Sequence, residues 1–577
     1  MRIRSVLAGA TVLSLAAIGM QATASAAPPP DPVTARLAQL TLEQKVGQLF
    51  STYVYGDSAT APSAADAAQN RALYGVDTGA QVIAKYHLGS VIYFAWTDSL
   101  NNPTQIAGLS NGLQQAAHDS DGTPLLISTD QEGGNVTRIG APLAVSPGNM
   151  AIGATFSPVD SYTMSRATGQ QLKAIGINVD DAPVVDVNTN PANTADGPRS
   201  FGDQAVPAAV LGTASVLGYQ SAHVAATAKH FPGLGSTSIN TDNGIAVTDE
   251  TRADFERNDL PPFRAAIAAG TDEIMAAHIV APSLDPSGAP ASLSEPIVTG
   301  LLRNQLHYDG VVITDALSAA ALQNVDPAER AVRAIEAGVD QALMPTSLPD
   351  AYAAVLAAVH SGRISTARID QSVTRVLKLK QKLGLFDNAM VDVSKVPTSV
   401  GTASQNAAAA SVAKHSITLV RNQNHVLPLH GAGQKVLVTG WGAGTTQTLA
   451  GSIATHGVTT QRVYTGGAPS QALIDAAVAA ANANDQVVVT TDNAWGDTGQ
   501  QALVRALLAT GKPVVVVSVG GPYDLAYIGA APTYLAAYGY QPATLTQLVA
   551  VLFGAQPGGH LPVTIEGFAA YGTGERF

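Results

Sequence analysis

Eight short apolar runs, separated by stretches of helical periodicity, constrain the fold of this 577-residue chain more than any other feature. They lie at Gly47–Val54, Leu88–Phe94, Pro124–Asp130, Gly176–Val187, Ala225–Phe231, Glu273–Ile279, Gly310–Asp315 and Gln341–Met344. Helical patterns fall between them, among them Ser161–Ala174, Pro207–Gly218, Pro262–Ala269 and Pro327–Ala337. Regular strand–helix alternation specifies a parallel sheet wrapped by helices. Several runs have no polar face, as expected of strands covered on both sides. Eight such units predict a (β/α)8 TIM barrel, closed by the amphipathic stretch Ser365–Leu385.

The chain is too long for one hydrophobic core. Residues 387–404 read as a linker, and a second α/β pattern comes after it. Its expected strands are Ser416–Val420, Lys435–Gly440, Gln486–Thr491 and Pro513–Val519, with helices near Thr445–His456, Ser470–Ala483, Gly499–Thr510 and Ala543–Phe553. The fold class expected is therefore α/β: a barrel over residues 32–386 and a doubly wound α/β sandwich over residues 405–577. Gly440-Trp441-Gly442-Ala443-Gly444 looks superficially like a nucleotide loop. It lacks the further glycine and acidic partner of that motif, so no cofactor is expected.

At the N-terminus, Arg2 and Arg4 precede an apolar segment from Val6 to about Met20, and Ala24-Ser25-Ala26 offers a cleavage site. That is the pattern of a secretory leader spanning residues 1–26, removed near Ala26, rather than of a membrane anchor. The chain has no cysteine, which excludes disulfides, thiolate metal sites, lipidation at cysteine and cysteine nucleophiles. A net charge of −12 with no basic stretch argues against nucleic acid or an anionic membrane as partner. No histidine spacing matches a known metal motif, so no metal is expected. The sequence says nothing about oligomeric state.

The polar residues fall in a pattern of their own. Asp130, Asp186, Lys229-His230, His278 and Asp315 each come at or just beyond the C-terminal end of a different apolar run. In a TIM barrel that end carries the active site. Asp315 closes the run Val311-Val312-Ile313-Thr314. It reads either as a rigidly held, partly desolvated nucleophile or as the N-cap of a helix over Ala316–Leu322. Lys229 needs partners if buried: sugar hydroxyls are one use for its charge, and an ion pair with Asp186 or Asp130 is the other. Asp130-Gln131-Glu132-Gly133-Gly134 with Arg138, and Arg199-Ser200-Phe201-Gly202, combine charge with glycines that admit close backbone approach.

These segments resemble glycoside hydrolase family 3, in its bacterial β-N-acetylglucosaminidase branch. The resemblance rests on Thr129–Gly134, Pro198–Gly202, Lys229–Gly233, Met275–His278 and Thr314–Leu317, in the family's order. Weaker matches lie at Arg368–Asp370, Leu383–Phe386, Ser416–Asn422 and Gly558–Val563. It implies a retaining mechanism in which Asp315 forms a covalent glycosyl-enzyme, with Asp130, Arg138, Arg199, Lys229 and His230 binding hydroxyls of the terminal sugar. The branch's acid/base is an Asp-x-His pair on the loop after the Lys-His strand. Here that loop reads Asn240-Thr241-Asp242, and Leu234 replaces a histidine often found earlier in it.

Asp242 can serve as proton donor only if its surroundings raise its pKa above the ordinary value of about 3.9. A donor from the second domain is the alternative, with Asp492, Asp497 and Asp524 as candidates and Glu566 and Glu575 as its only glutamates. The resemblance thus implies an exported exo-β-N-acetylhexosaminidase acting on terminal β-linked GlcNAc of peptidoglycan fragments or chito-oligosaccharides. Two other readings stand beside it: a β-glucosidase-like member, and a glycan-binding pseudoenzyme that has lost proton transfer.

Overall fold

The computed structural model describes residues 31–529 and 531–577. The leader expected at residues 1–26 lies outside them. All eight apolar runs form strands of one parallel sheet: β1 (Phe50–Thr52), β2 (Ser90–Ile92), β3 (Leu126–Thr129), β4 (Val179–Asp180), β5 (Ala225–Phe231), β6 (Glu273–Ala276), β7 (Val311–Thr314) and β8 (Ala342–Leu343). Neighbours run in the order β8-β1-β2-β3-β4-β5-β6-β7. A single bridge, Ile313 to Gln341, joins the two ends, so the barrel is nearly closed. Strand β4 is much shorter than its apolar run, because the chain leaves the ladder at Asp181 and returns only for one bridge between Val184 and Lys229. Pro183, which has no N–H to donate, stands in that gap.

Local chemistry sets the wrapping helices. Pro327–Ala337 begins where the Asp326 side chain accepts the Ala328 N–H, carries proline in its first turn, and stops at Gly338, whose φ of 113° suits glycine. Its ends match those read from sequence. The segment after β7 differs. Instead of a helix over Ala316–Leu322 there is one 3₁₀ turn, Ala320–Leu322, preceded by Ala319, so Asp315 caps no helix.

The second sheet has six strands: β9 (Thr418–Asn422), β10 (Lys435–Gly440), β11 (Thr459–Tyr464), β12 (Gln486–Thr491), β13 (Val514–Ser518) and β14 (Thr533–Ala536). Their order is β9-β14-β13-β12-β10-β11, all parallel except the edge strand β9, which runs antiparallel to β14. Helices cover it, and one apolar cluster runs from barrel residues such as Met150, Ile152 and Phe201 into second-domain residues such as Leu561 and Val563.

A glycine seam lets the two halves approach. A Cβ on Gly202 would run into the Pro562 carbonyl oxygen across the seam, and one on Gly153 would lie 3.1 Å from Pro562 Cβ across it while running into the Phe201 carbonyl oxygen within the barrel half. Backbone and side chain then lock the seam: His560 N–H donates to Ala154 O at 2.9 Å, and Thr564 N–H to Asp203 Oδ2 at 2.6 Å. Among the described residues, no helix is long and apolar enough to cross a membrane. Because backbone faces backbone at Gly153, Gly153→Ala should lower stability by about 1–3 kcal/mol through overpacking. An unshifted denaturant midpoint would show that the seam has slack.

Candidate active site

The C-terminal ends of the barrel strands open on a cavity of ≈ 460 Å³ that takes in Asp130, Arg138, Arg199, Lys229, His230, Asp242 and Asp315. All seven residues expected to act in catalysis or sugar binding meet there, while Asp186 and His278 lie outside its lining. Asp130 and Asp315 directly follow β3 and β7. Lys229 and His230 are consecutive, and in a regular strand one of them would point away. The register of β5 against β6 slips between Lys229 and Phe231, a bulge that brings both side chains to the cavity.

Charge is packed densely at the cavity floor. Lys229, 2% exposed, lies 3.0 Å from Asp130 Oδ1 and 2.8 Å from Glu132 Oε1. Glu132 also takes a two-pronged bond from Arg199, Nε at 2.9 Å and a terminal nitrogen at 2.8 Å. Arg138 reaches the other Asp130 oxygen at 3.1 Å. Burial alone would raise both carboxyls; Lys229 and Arg138 outweigh it at Asp130, and Arg199 and Lys229 at Glu132, so both are held below the ordinary carboxylate range. Burial likewise disfavours charge on Lys229, but Glu132 and Asp130 keep its pKa above the usual lysine value. Glu132 is the site residue that sequence reasoning misses. A signal for it exists in the spacing, since Asp130 and Glu132 are two apart and residues i and i+2 of an extended chain share a face.

Asp186, offered from sequence as a partner for Lys229, instead holds the histidine. Its Oδ2 accepts from His230 Nδ1 at 2.7 Å and from the His230 backbone N–H at 2.9 Å, while Oδ1 accepts the Leu234 N–H at 2.9 Å. Burial would lower the His230 pKa, and the Asp186 bond overrides it, so the ring titrates above its ordinary value. Asp196 packs beside this pair, with ligand-type atoms of Asp186, Asp196 and His230 all within 4.8 Å of one another. Neither Asp196 oxygen has a hydrogen-bond partner among the described residues, and burial next to Asp186 pushes its carboxyl up to about 7.

Asp315 is fixed from both sides. Its backbone N–H donates to Ala276 O at 2.9 Å, and its Oδ1 accepts the Ala316 N–H at 2.7 Å. Oδ2 accepts no hydrogen bond among the described residues. Burial would raise this carboxyl, but His278, His230, the Ala316 N–H and Lys229 together bring it below its ordinary value. His278, fully buried, steadies the same turn: Nε2 lies 2.9 Å from Ala316 O and must donate, so Nδ1 accepts from Ser292 Oγ at 2.7 Å.

Asp242 hangs over the cavity from the loop after β5. The Asn240 side chain accepts the Asp242 N–H at 2.8 Å, forming a local turn rather than orienting the Asp242 carboxyl. Thr241, buried, ties the loop down by accepting the Ala321 N–H at 3.0 Å. Partial burial and the Asp315 charge raise the Asp242 pKa, against smaller effects of Arg199 and the two histidines. Its side chain stays exposed, so water screens the shift. The second-domain acids do not line this cavity. Asp497 caps the helix Thr498–Leu508, Asp524 is buried, and Glu566 and Glu575 face solvent.

Residues 41–379 match the Glycosyl hydrolase family 3 N terminal domain, and residues 417–571 match the Glycosyl hydrolase family 3 C-terminal domain. The chain belongs to glycosyl hydrolase family 3. Family membership makes it a glycosidase. It is 30% identical over 559 residues to the beta-N-acetylglucosaminidase/beta-glucosidase of Cellulomonas fimi, covering 91% of this chain and 94% of that one. It is 36% identical over 382 residues to beta-hexosaminidase A of Pseudoalteromonas piscicida, spanning 62% of this chain and 63% of the relative. Among solved structures, a family 3 beta-N-acetylglucosaminidase from Paenibacillus sp. str. FPU-7 superposes with a TM-score of 0.83 at 37% identity, covering 91% of this chain and 99% of that one.

Glu132 is the common counter-ion of two cations. Glu132→Ala leaves Lys229 facing Asp130 alone and strips Arg199 of its carboxylate, a loss expected to cost about 3–5 kcal/mol. Denaturant unfolding checks this; an unmoved midpoint would mean that water or Asp196 replaces the missing charge.

Proposed function

We propose that this family 3 glycosidase is an exported, retaining exo-β-N-acetylhexosaminidase that removes terminal β-linked GlcNAc from peptidoglycan fragments or chito-oligosaccharides. One observation carries the reading: two carboxyls over the same cavity have pKa values displaced in opposite directions, Asp315 down and Asp242 up. Such a separation is how two like groups divide into nucleophile and proton donor. The relatives' names support the sugar, and the leader-like residues 1–26 support export.

In this mechanism the cavity floor holds the terminal sugar. Lys229, Arg199 and Arg138 donate to its hydroxyls, Asp130 accepts from them, and the fixed charges need no rearrangement when substrate arrives. Asp315 Oδ2 attacks the anomeric carbon while the bond to the leaving oxygen breaks, and Asp242 gives that oxygen its proton. Water then attacks the same carbon, Asp242 takes the water's proton, and Asp315 departs as carboxylate. A cavity of ≈ 460 Å³ suits a terminal sugar, which supports exo action.

Asp315→Asn should abolish turnover and leave the thermal midpoint near wild type. A 2-fluoro glycoside with an activated leaving group should label Asp315 in the wild type, and labelling elsewhere would overturn its role. A protein that binds GlcNAc but shows no burst on activated substrates is a pseudoenzyme, and preference for the glucoside would mark a β-glucosidase.

The pH profile is set by the two displaced groups. Activity needs Asp315 ionised, so it falls on acidification only through a pKa below the ordinary aspartate value. It also needs Asp242 protonated, so it falls as pH rises through a pKa above that value. An acidic optimum with decline toward neutrality is expected. Asp242→Ala should slow natural glycans by about 100-fold or more, spare activated aryl glycosides, and remove the alkaline limb. Equal losses on both substrate types would eliminate Asp242 as donor.

A further inference from the structure

At the rim of the cavity, a tryptophan stands in the open. Trp96 is 53% exposed, although aromatic side chains of its size usually bury most of their surface. It lies in the 3₁₀ turn Ala95–Thr97 just after β2. The turn is well anchored: Thr97 is fully buried, its hydroxyl donates to Phe94 O at 2.7 Å, and its carbonyl accepts the Gly56 N–H at 2.8 Å.

The indole is held as rigidly as the turn. It stacks on Phe94 with centroids 5.2 Å apart and planes 18° from parallel. Tyr53 and Tyr55 meet it edge-on at 4.6 Å and 5.8 Å. Phe94 lines the cavity, and the Arg138 guanidinium, which binds Asp130, sits 5.4 Å from the Phe94 ring centroid. Trp96, Phe94 and Arg138 therefore form one stack that runs from the cavity floor to solvent. Phe94, Tyr53 and Tyr55 cover part of the indole, and the exposed remainder faces solvent.

We propose that Trp96 is the platform on which the sugar residue next to the scissile bond, on the leaving-group side, stacks its apolar C–H face. The proposal rests on the reading of the cavity given above. If the floor takes the terminal sugar, a surface at the rim continuous with it meets only the next residue of the glycan. A preordered aromatic face costs little side-chain entropy on binding, and an exposed one has apolar area to cover. Preference for a pyranose leaving group over a small alcohol then originates at Trp96, and Tyr53 and Tyr55 fix the angle of the platform.

Calorimetric titration of the full-length protein on the Asp315→Asn background, with GlcNAc and with N,N′-diacetylchitobiose, tests this without turnover. The disaccharide is expected to bind about tenfold tighter than the monosaccharide, a difference of one stacking contact. Trp96→Ala should erase that ratio and leave GlcNAc affinity within about twofold, and Trp96→Phe should retain part of it. In the catalytically intact protein, Trp96→Ala should raise KM for the disaccharide with little change for methyl β-N-acetylglucosaminide. An unchanged ratio in Trp96→Ala overturns the platform while the reading of the cavity stands. Failure of either sugar to bind the parent protein overturns that reading and the platform with it.

Discussion

The pocket depends on one buried ion cluster, in which Lys229 sits between Asp130 and Glu132 and Arg199 clasps Glu132 from the other side. Charges taken out of water stabilise nothing unless each finds its counterpart. Here the partners come from three separate places in the barrel: the segment after β3, the end of β5, and the 3₁₀ turn Gly197–Arg199. Folding must bring all three together before any one of these charges can be buried. The result is a floor whose dipoles and charges are already oriented, the condition under which polar groups bind a sugar without first reorganising.

The same economy of position divides the two candidate acids. Asp315 is carried on a buried strand end, between an amide donor and two histidines, and its ionised form is favoured. Asp242 is carried on a loop, close enough to feel the Asp315 charge, and its neutral form is favoured. Asp315 thus pushes Asp242 up, while Asp315 itself is held down by the two histidines, the Ala316 amide and Lys229. Asp186 acts at one remove, fixing the ring of His230 and so the charge that His230 presents to Asp315.

Much of this is legible in the sequence because barrel strands must be apolar on both faces, so a charge at the end of each run stands out. Asp130, Lys229, His230 and Asp315 are visible in that way, and Pro327–Ala337 is delimited by its own cap and glycine. Other elements lack such contrast. Strand β11 reads T-T-Q-R-V-Y and is largely exposed at a sheet edge, so it has no apolar pattern to recognise. Strand β14 is only four residues long, T-Y-L-A. Glu132 is masked by its neighbour Asp130, since one carboxylate already accounts for the charge in a glycine-rich motif. Asp196 is buried in a loop of polar appearance, and only the tertiary fold places it against Asp186 and His230.

The loop after β5 is held by its own backbone and by one side-chain turn. The Asn240 side chain closes a turn on the Asp242 amide. The loop is kept over the cavity by other means. Thr241 O and Asp242 O accept the N–H groups of Ala321 and Ala320 at 3.0 and 3.4 Å, in the segment that follows Asp315. The carboxyl at position 242 thus depends for its place on the segment that follows Asp315. Displacement of that segment would move the two acids together, so the distance between them is protected more strongly than the position of either one.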